Sequence, residues 1–161
     1  MPNHFHLMVE TPEPTRSAGM RHLMGSLAQR FNERYDGSGH VFQGRYRAET
    51  VEREGHFAEV PRYIVLNPVR AGLCEKPEEW RWSSYRATAG LVPAPDFLTT
   101  ETVLGTFAND VLRAQALYRR HVAEGLVFAR RVPGRGPEPA TRGADHRSTR
   151  RTWLWPGGSR T

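Results

Sequence analysis

Two stretches in which apolar and polar residues alternate flank one amphipathic helical segment near the start of the chain. In residues 3–10, Phe5, Leu7 and Val9 fall on one face of a strand and His4, His6 and Met8 on the other. In residues 17–34, Met20, Leu23, Met24, Leu27, Ala28 and Phe31 recur at spacings of three and four, which predicts a helix with Ser17 as its N-cap. DGSGH then reads as a turn, and VFQGRYRAETVE as a second strand. A strand–helix–strand order with one apolar helix face needs a sheet under that face. This predicts an α+β layer in which the helix covers a sheet holding both strands.

Further along, GHFAEVPRYIVLNPVRAGL predicts a helix that begins near Glu54 or Pro61, runs to about Asn67, is stopped by Pro68, and is followed by a break at Gly72. Pro61 is tolerated in a first turn, whereas deeper in the helix it would kink the axis. EEWRWSSYRATAG supplies aromatic packing through Trp80, Trp82 and Tyr85, and residues 98–126 read as one or two more helices capped by Thr99 or Thr100. The net charge of +6 lies wholly in residues 129–161, which hold eight of the 23 basic and two of the 17 acidic side chains. That tail is rich in Pro, Gly and Arg and predicts disorder, either as a solvated extension or as an electrostatic arm.

Cys74 is the sole cysteine, which excludes an intrachain disulfide and a thiolate zinc cage and fits a reducing cytoplasm. No stretch has the roughly 20 apolar residues of a membrane span, and no secretory leader pattern opens the sequence. The expectation is a soluble, cytoplasmic chain with no membrane partner.

His4 and His6 on one strand face are either partly exposed structural histidines or two ligands of one divalent cation, and two ligands make a weak site. The amide oxygen of Asn67 is a hard third donor suited to Mg²⁺ or Mn²⁺. Tyr63 lies one helical turn before Asn67 on the same face and is a candidate nucleophile if it is not packing. Arg45 and Arg47 share one face of the second strand and are candidate phosphate contacts, with Gln43 a candidate base contact. A barrel hydrolase opening on His-x-His needs about 250 residues and further His and Asp ligands; this chain of 161 residues has no such set.

Taken together, PNHFHLMVE, FNERYDGSGHVFQGRYRAETVE, RYIVLNPVRAGL and WRWSSY resemble, in this order over about residues 1–128, the HUH-type single-strand transposases with one catalytic tyrosine. The resemblance is closest to the REP-associated tyrosine transposase branch. It implies a ferredoxin-like antiparallel sheet with helices on one face, followed by C-terminal helices, and an organisation into a catalytic core (1–90), a helical extension (91–128) and a basic disordered tail (129–161). It also implies a first strand and helix ahead of the histidine strand that the sequence as given does not contain. By this resemblance His4 and His6 hold Mg²⁺ or Mn²⁺, and Asn67 stands where relatives use a longer glutamine. Tyr63 attacks single-stranded DNA near a hairpin to form a 5′-phosphotyrosine, and the protein acts as a monomer or homodimer. The alternative is a DNA-hairpin binding protein that has lost catalysis.

Overall fold

The computed structural model describes residues 1, 3–51, 57–131 and 150–156, which are of mixed helix and strand. They fall into two compact units, Met1–Glu52 with Ala140–Thr161, and Arg53–Pro139. In the second unit, residues on both sides of position 90 share one core. Among the described residues no helix is long and apolar enough to cross a membrane.

The first unit holds β1 (Leu7–Thr11), α1 (Arg16–Tyr35), β2 (Tyr46–Val51) and β3 (Arg150–Pro156). The strand order is β1-β3-β2, with β3 antiparallel to both neighbours. Thr152 of β3 registers with Val9 on one side and Thr50 on the other. β1 and β2 therefore run parallel, which is what a helical crossover such as α1 imposes on the strands it joins.

The expectation of a disordered tail is corrected at residues 150–156. RRTWLWP carries Thr and two Trp, residues that favour extended backbone, and it satisfies the facing edges of two strands that do not pair with each other. Residues 129–131, also counted in that tail, close the helix Val111–Arg131, and the remaining tail residues, 132–149 and 157–161, lie outside the described residues.

A second correction concerns α1. Met20 is buried, but Leu23, Leu27 and Phe31 are 45%, 44% and 47% exposed, so the helix does not cover the sheet along its length. Exposure of this apolar stripe begins at Leu23, about 10 Å along the 20-residue helix. Thr15, not Ser17, occupies the N-cap position. Ser17 lies inside the first turn, where its Oγ accepts a hydrogen bond from Tyr46 Oη at 3.3 Å and ties α1 to β2.

The second unit is helical: α2 (Glu59–Arg70), a 3-10 turn (Pro77–Glu79), α3 (Tyr85–Thr88), α4 (Glu101–Leu104) and α5 (Val111–Arg131). Its core brings Val65 and Leu66 of α2 against Ala114, Tyr118 and Val122 of α5, with Tyr85, Ala89 and Leu104 closing the sides. The rings of Tyr85 and Phe107 stand 6.0 and 5.9 Å from that of Tyr118. Of the aromatics expected to pack, Tyr85 is buried but Trp82 is 72% exposed, with Arg81 over its ring.

Pro68 does not stop α2, contrary to expectation; the helix continues to Arg70. A proline in the last turn deletes only one intrahelical bond. The helix ends instead in a Schellman motif at Gly72 (φ +68°), where Leu73 N–H donates to Pro68 O and Gly72 N–H to Val69 O, each at 2.9 Å. Pro61 falls in the first turn, where its absent N–H has no intrahelical partner to lose.

The same motif closes α3. Gly90 has φ +73°, with Gly90 N–H bonded to Ala87 O and Leu91 N–H to Arg86 O. A methyl group there would also meet the Gln115 side chain at 2.3 Å, which can swing aside, so the left-handed backbone sets the cost. Gly90→Ala is expected to destabilise the protein by about 1–2 kcal/mol, read as a lower urea midpoint with an unchanged m-value.

Candidate active site

His6 stands immediately before β1 and His4 three residues before it, so neither lies in the strand expected to carry both. Their rings nevertheless meet edge to face, with centroids 5.0 Å apart. Phe5 between them packs edge to face on Phe42, 6.2 Å away, and anchors this segment to the bend that leads into β2. His4 Nδ1 lies 2.8 Å from Asn3 Oδ1. An amide oxygen only accepts, so in this contact His4 Nδ1 is the donor.

Burial, with His4 beside it, brings the pKa of His6 down to about 4, and burial lowers that of His4 as well. Both rings are therefore neutral at pH 7, the protonation state a cation requires of imidazole. As a donor set they fit a divalent ion, but they amount to two ligands. No cluster of three or more His, Cys, Asp or Glu suited to a metal occurs among the described residues.

Arg45 and Gln43 precede β2 and Arg47 lies within it; all three are exposed, while Tyr46 and Ala48 turn inward. The alternation gives Arg45 and Arg47 one common outward face, as the strand pattern predicts.

Tyr63 and Asn67 belong to the second unit, on consecutive turns of α2. Both are buried. Asn67 Nδ2 donates to the Tyr63 carbonyl at 3.0 Å, which holds the amide against the helix and leaves its oxygen as the available donor atom. Burial raises the Tyr63 hydroxyl above the ordinary tyrosine range, against the downward pull of the Asn67 amide and the Arg70 guanidinium. The structure thus pairs His4 with His6 and, separately, Tyr63 with Asn67.

Two features went unread in the sequence. Arg70, seven residues after Tyr63 and so on the same helix face, lays its guanidinium over the Tyr63 ring with Cζ 5.0 Å from the centroid; the spacing alone was the available signal. His121 also acquires partners: its Nε2 lies 3.3 Å from Ala58 O and 3.6 Å from Glu59 Oε1, and Arg62, paired with Glu59, reaches its Nδ1 at 3.4 Å. That cluster fastens the N-terminal turn of α2 to α5 and needs no catalytic explanation.

Residues 1–67 match the family model described as "Transposase IS200 like". The matched stretch contains every residue selected above from the sequence, from His4 through Gln43, Arg45 and Arg47 to Tyr63 and Asn67. It supports a transposase family for this part of the chain, with DNA as the partner class. No curated protein and no solved structure matches the chain.

Proposed function

We propose that the protein nicks and rejoins single-stranded DNA as a metal-dependent tyrosine transposase of the HUH type, in the REP-associated branch, acting beside DNA hairpins. The observation that carries this reading is the transposase match over residues 1–67, which takes in both the histidine pair and the helical tyrosine. A parallel β1/β2 pair joined through α1 with an antiparallel strand between them is the split β-α-β arrangement, which favours a ferredoxin-like sheet.

In this reading His4 and His6, with Asn67 as third donor, hold Mg²⁺ or Mn²⁺, which when bound supplies Lewis-acid polarisation of the scissile phosphate. The Tyr63 oxygen attacks phosphorus in line, its O–P bond forms as the P–O3′ bond breaks, and the phenolic proton is lost while the departing 3′-oxygen gains one. The phosphodiester energy is kept in the 5′-phosphotyrosine, so a second 3′-hydroxyl can reverse the step without ATP. Arg45 and Arg47 contact phosphates, and Gln43 meets a base.

The second reading, a hairpin-binding protein without catalysis, is favoured by the burial of Tyr63, which is 7% exposed. A nucleophile must be reached by its phosphate. Labelled single-stranded DNA carrying palindromic hairpins, incubated with the protein and Mn²⁺ or Mg²⁺ and run on a denaturing gel, separates the two. A covalent protein–DNA band that EDTA abolishes is expected, with Tyr63→Phe reducing its yield more than ~10³-fold. Salt-sensitive binding with no such band in any metal would establish the binding module instead.

A further inference from the structure

Arg70 is the described side chain whose charge is least accounted for by the fold. Its Nε and Nη1 are shut off from solvent and have no hydrogen-bond partner. No carboxylate forms an ion pair with it among the described residues, although Arg62 and Arg120 each have one. Arg70 lines a cleft of about 570 Å³ together with Val69, Cys74 and Glu75. What holds the guanidinium is the ring of Tyr63, 5.0 Å away.

A partly buried guanidinium without an anionic partner is costly, and it is stabilised when an anion arrives with it. A guanidinium is a permanent cation whose accessible N–H can donate to a phosphate oxygen. We infer that Arg70, stacked on Tyr63, is a docking group for a backbone phosphate of the DNA strand that Tyr63 addresses. The inference rests on the reading of Tyr63 as a group that meets single-stranded DNA, and it assigns the recognition of the phosphate to a residue outside the matched stretch. Nη2 is not among the shut-off atoms and is the nitrogen an incoming phosphate oxygen meets first. Burial lowers the Arg70 pKa, as expected of a cation whose counter-charge comes from elsewhere.

The test is the salt dependence of binding to a fluorescein-labelled oligothymidylate, followed by anisotropy, for the full chain and for Arg70→Met, Arg70→Lys and Tyr63→Phe. Met keeps the stacking on Tyr63 and removes the charge. Arg70→Met is expected to bind about tenfold more weakly at low salt. It should also flatten the slope of log K against log salt by about 0.7, the loss of one single-strand phosphate contact. Arg70→Lys should keep the slope, and Tyr63→Phe, which retains an aromatic platform, should leave it unchanged. An unaltered slope in Arg70→Met, with wild type binding normally, overturns the docking role and leaves the transposase reading standing. Absence of binding by wild type overturns both. Should Arg70→Met fail to fold, Arg70→Gln is read in the same way: a slope lowered by about 0.7 supports the charge contact, and an unaltered slope overturns it.

Discussion

Leu66→Ala is expected to cost about 2–5 kcal/mol and to lower the urea midpoint by about 1–2 M. Leu66 is fully buried at the centre of the core, between Val65 and the apolar stripe of α5. The opposing helix has no room to close on the vacancy by a small side-chain shift. At Gly125 an added methyl group would stand 2.9 Å from Leu66 Cδ1 and 2.8 Å from Arg62 Cδ, so α5 already approaches α2 as closely as a glycine allows. The cavity left by Ala therefore stays largely open, and its volume adds to the lost transfer energy. A loss below about 1 kcal/mol would show that the α2–α5 contact is not the core it is described to be. The same substitution bears on chemistry, because Leu66 sits between Tyr63 and Asn67 on α2. Any helix shift that refills the cavity moves both.

How much of this was legible in the sequence depends on whether a signal was local. The α2 helix was, because Tyr63, Leu66 and Asn67 recur at helical spacing, and the pairing of Asn67 with the Tyr63 carbonyl follows from a spacing of four. Its end was misread, since Pro68 is the stronger local stop signal, yet the carbonyl of Pro68 is what Leu73 needs to close the Schellman motif at Gly72. The nearness of the two histidines was legible from alternation, although β1 begins only at Leu7. The exposed stripe on α1 was not, because periodicity reports which residues share a face and not whether a partner of sufficient length lies beneath it. Arg70 was missed for a different reason. A helix C-terminal arginine is ordinarily explained by the helix dipole, and only the lack of a hydrogen-bond partner for its shut-off Nε and Nη1 separates it from that explanation.

The strand at 150–156 was hidden by composition, since arginine and glycine around it outweigh the four residues Thr152, Trp153, Leu154 and Trp155. Its position between β1 and β2 makes it the element on which the first unit's hydrogen-bond ladders depend. Thr152→Pro is accordingly expected to release both neighbours. Proline removes a backbone donor and is confined to edge strands, whereas Thr152 sits mid-strand, registered with Val9 on one side and Thr50 on the other. Without β3, β1 and β2 have no strand partner among the described residues, and isolated short strands are not stable in water. Hydrogen exchange should show protection of the amides of Leu7–Thr11 and Tyr46–Val51 falling at least about tenfold. The amides of α2 and α5, in the other unit, should be unchanged. Ending the chain after Pro139 should reproduce that pattern, but it also removes positive charge. Thr152→Pro leaves the charge intact, so agreement between the two assigns the effect to strand pairing, and protection lost only on truncation assigns it to electrostatics. If neither change alters exchange in β1 and β2, the tail is a solvated arm as its composition suggests, and the histidine segment ahead of β1 is held without it.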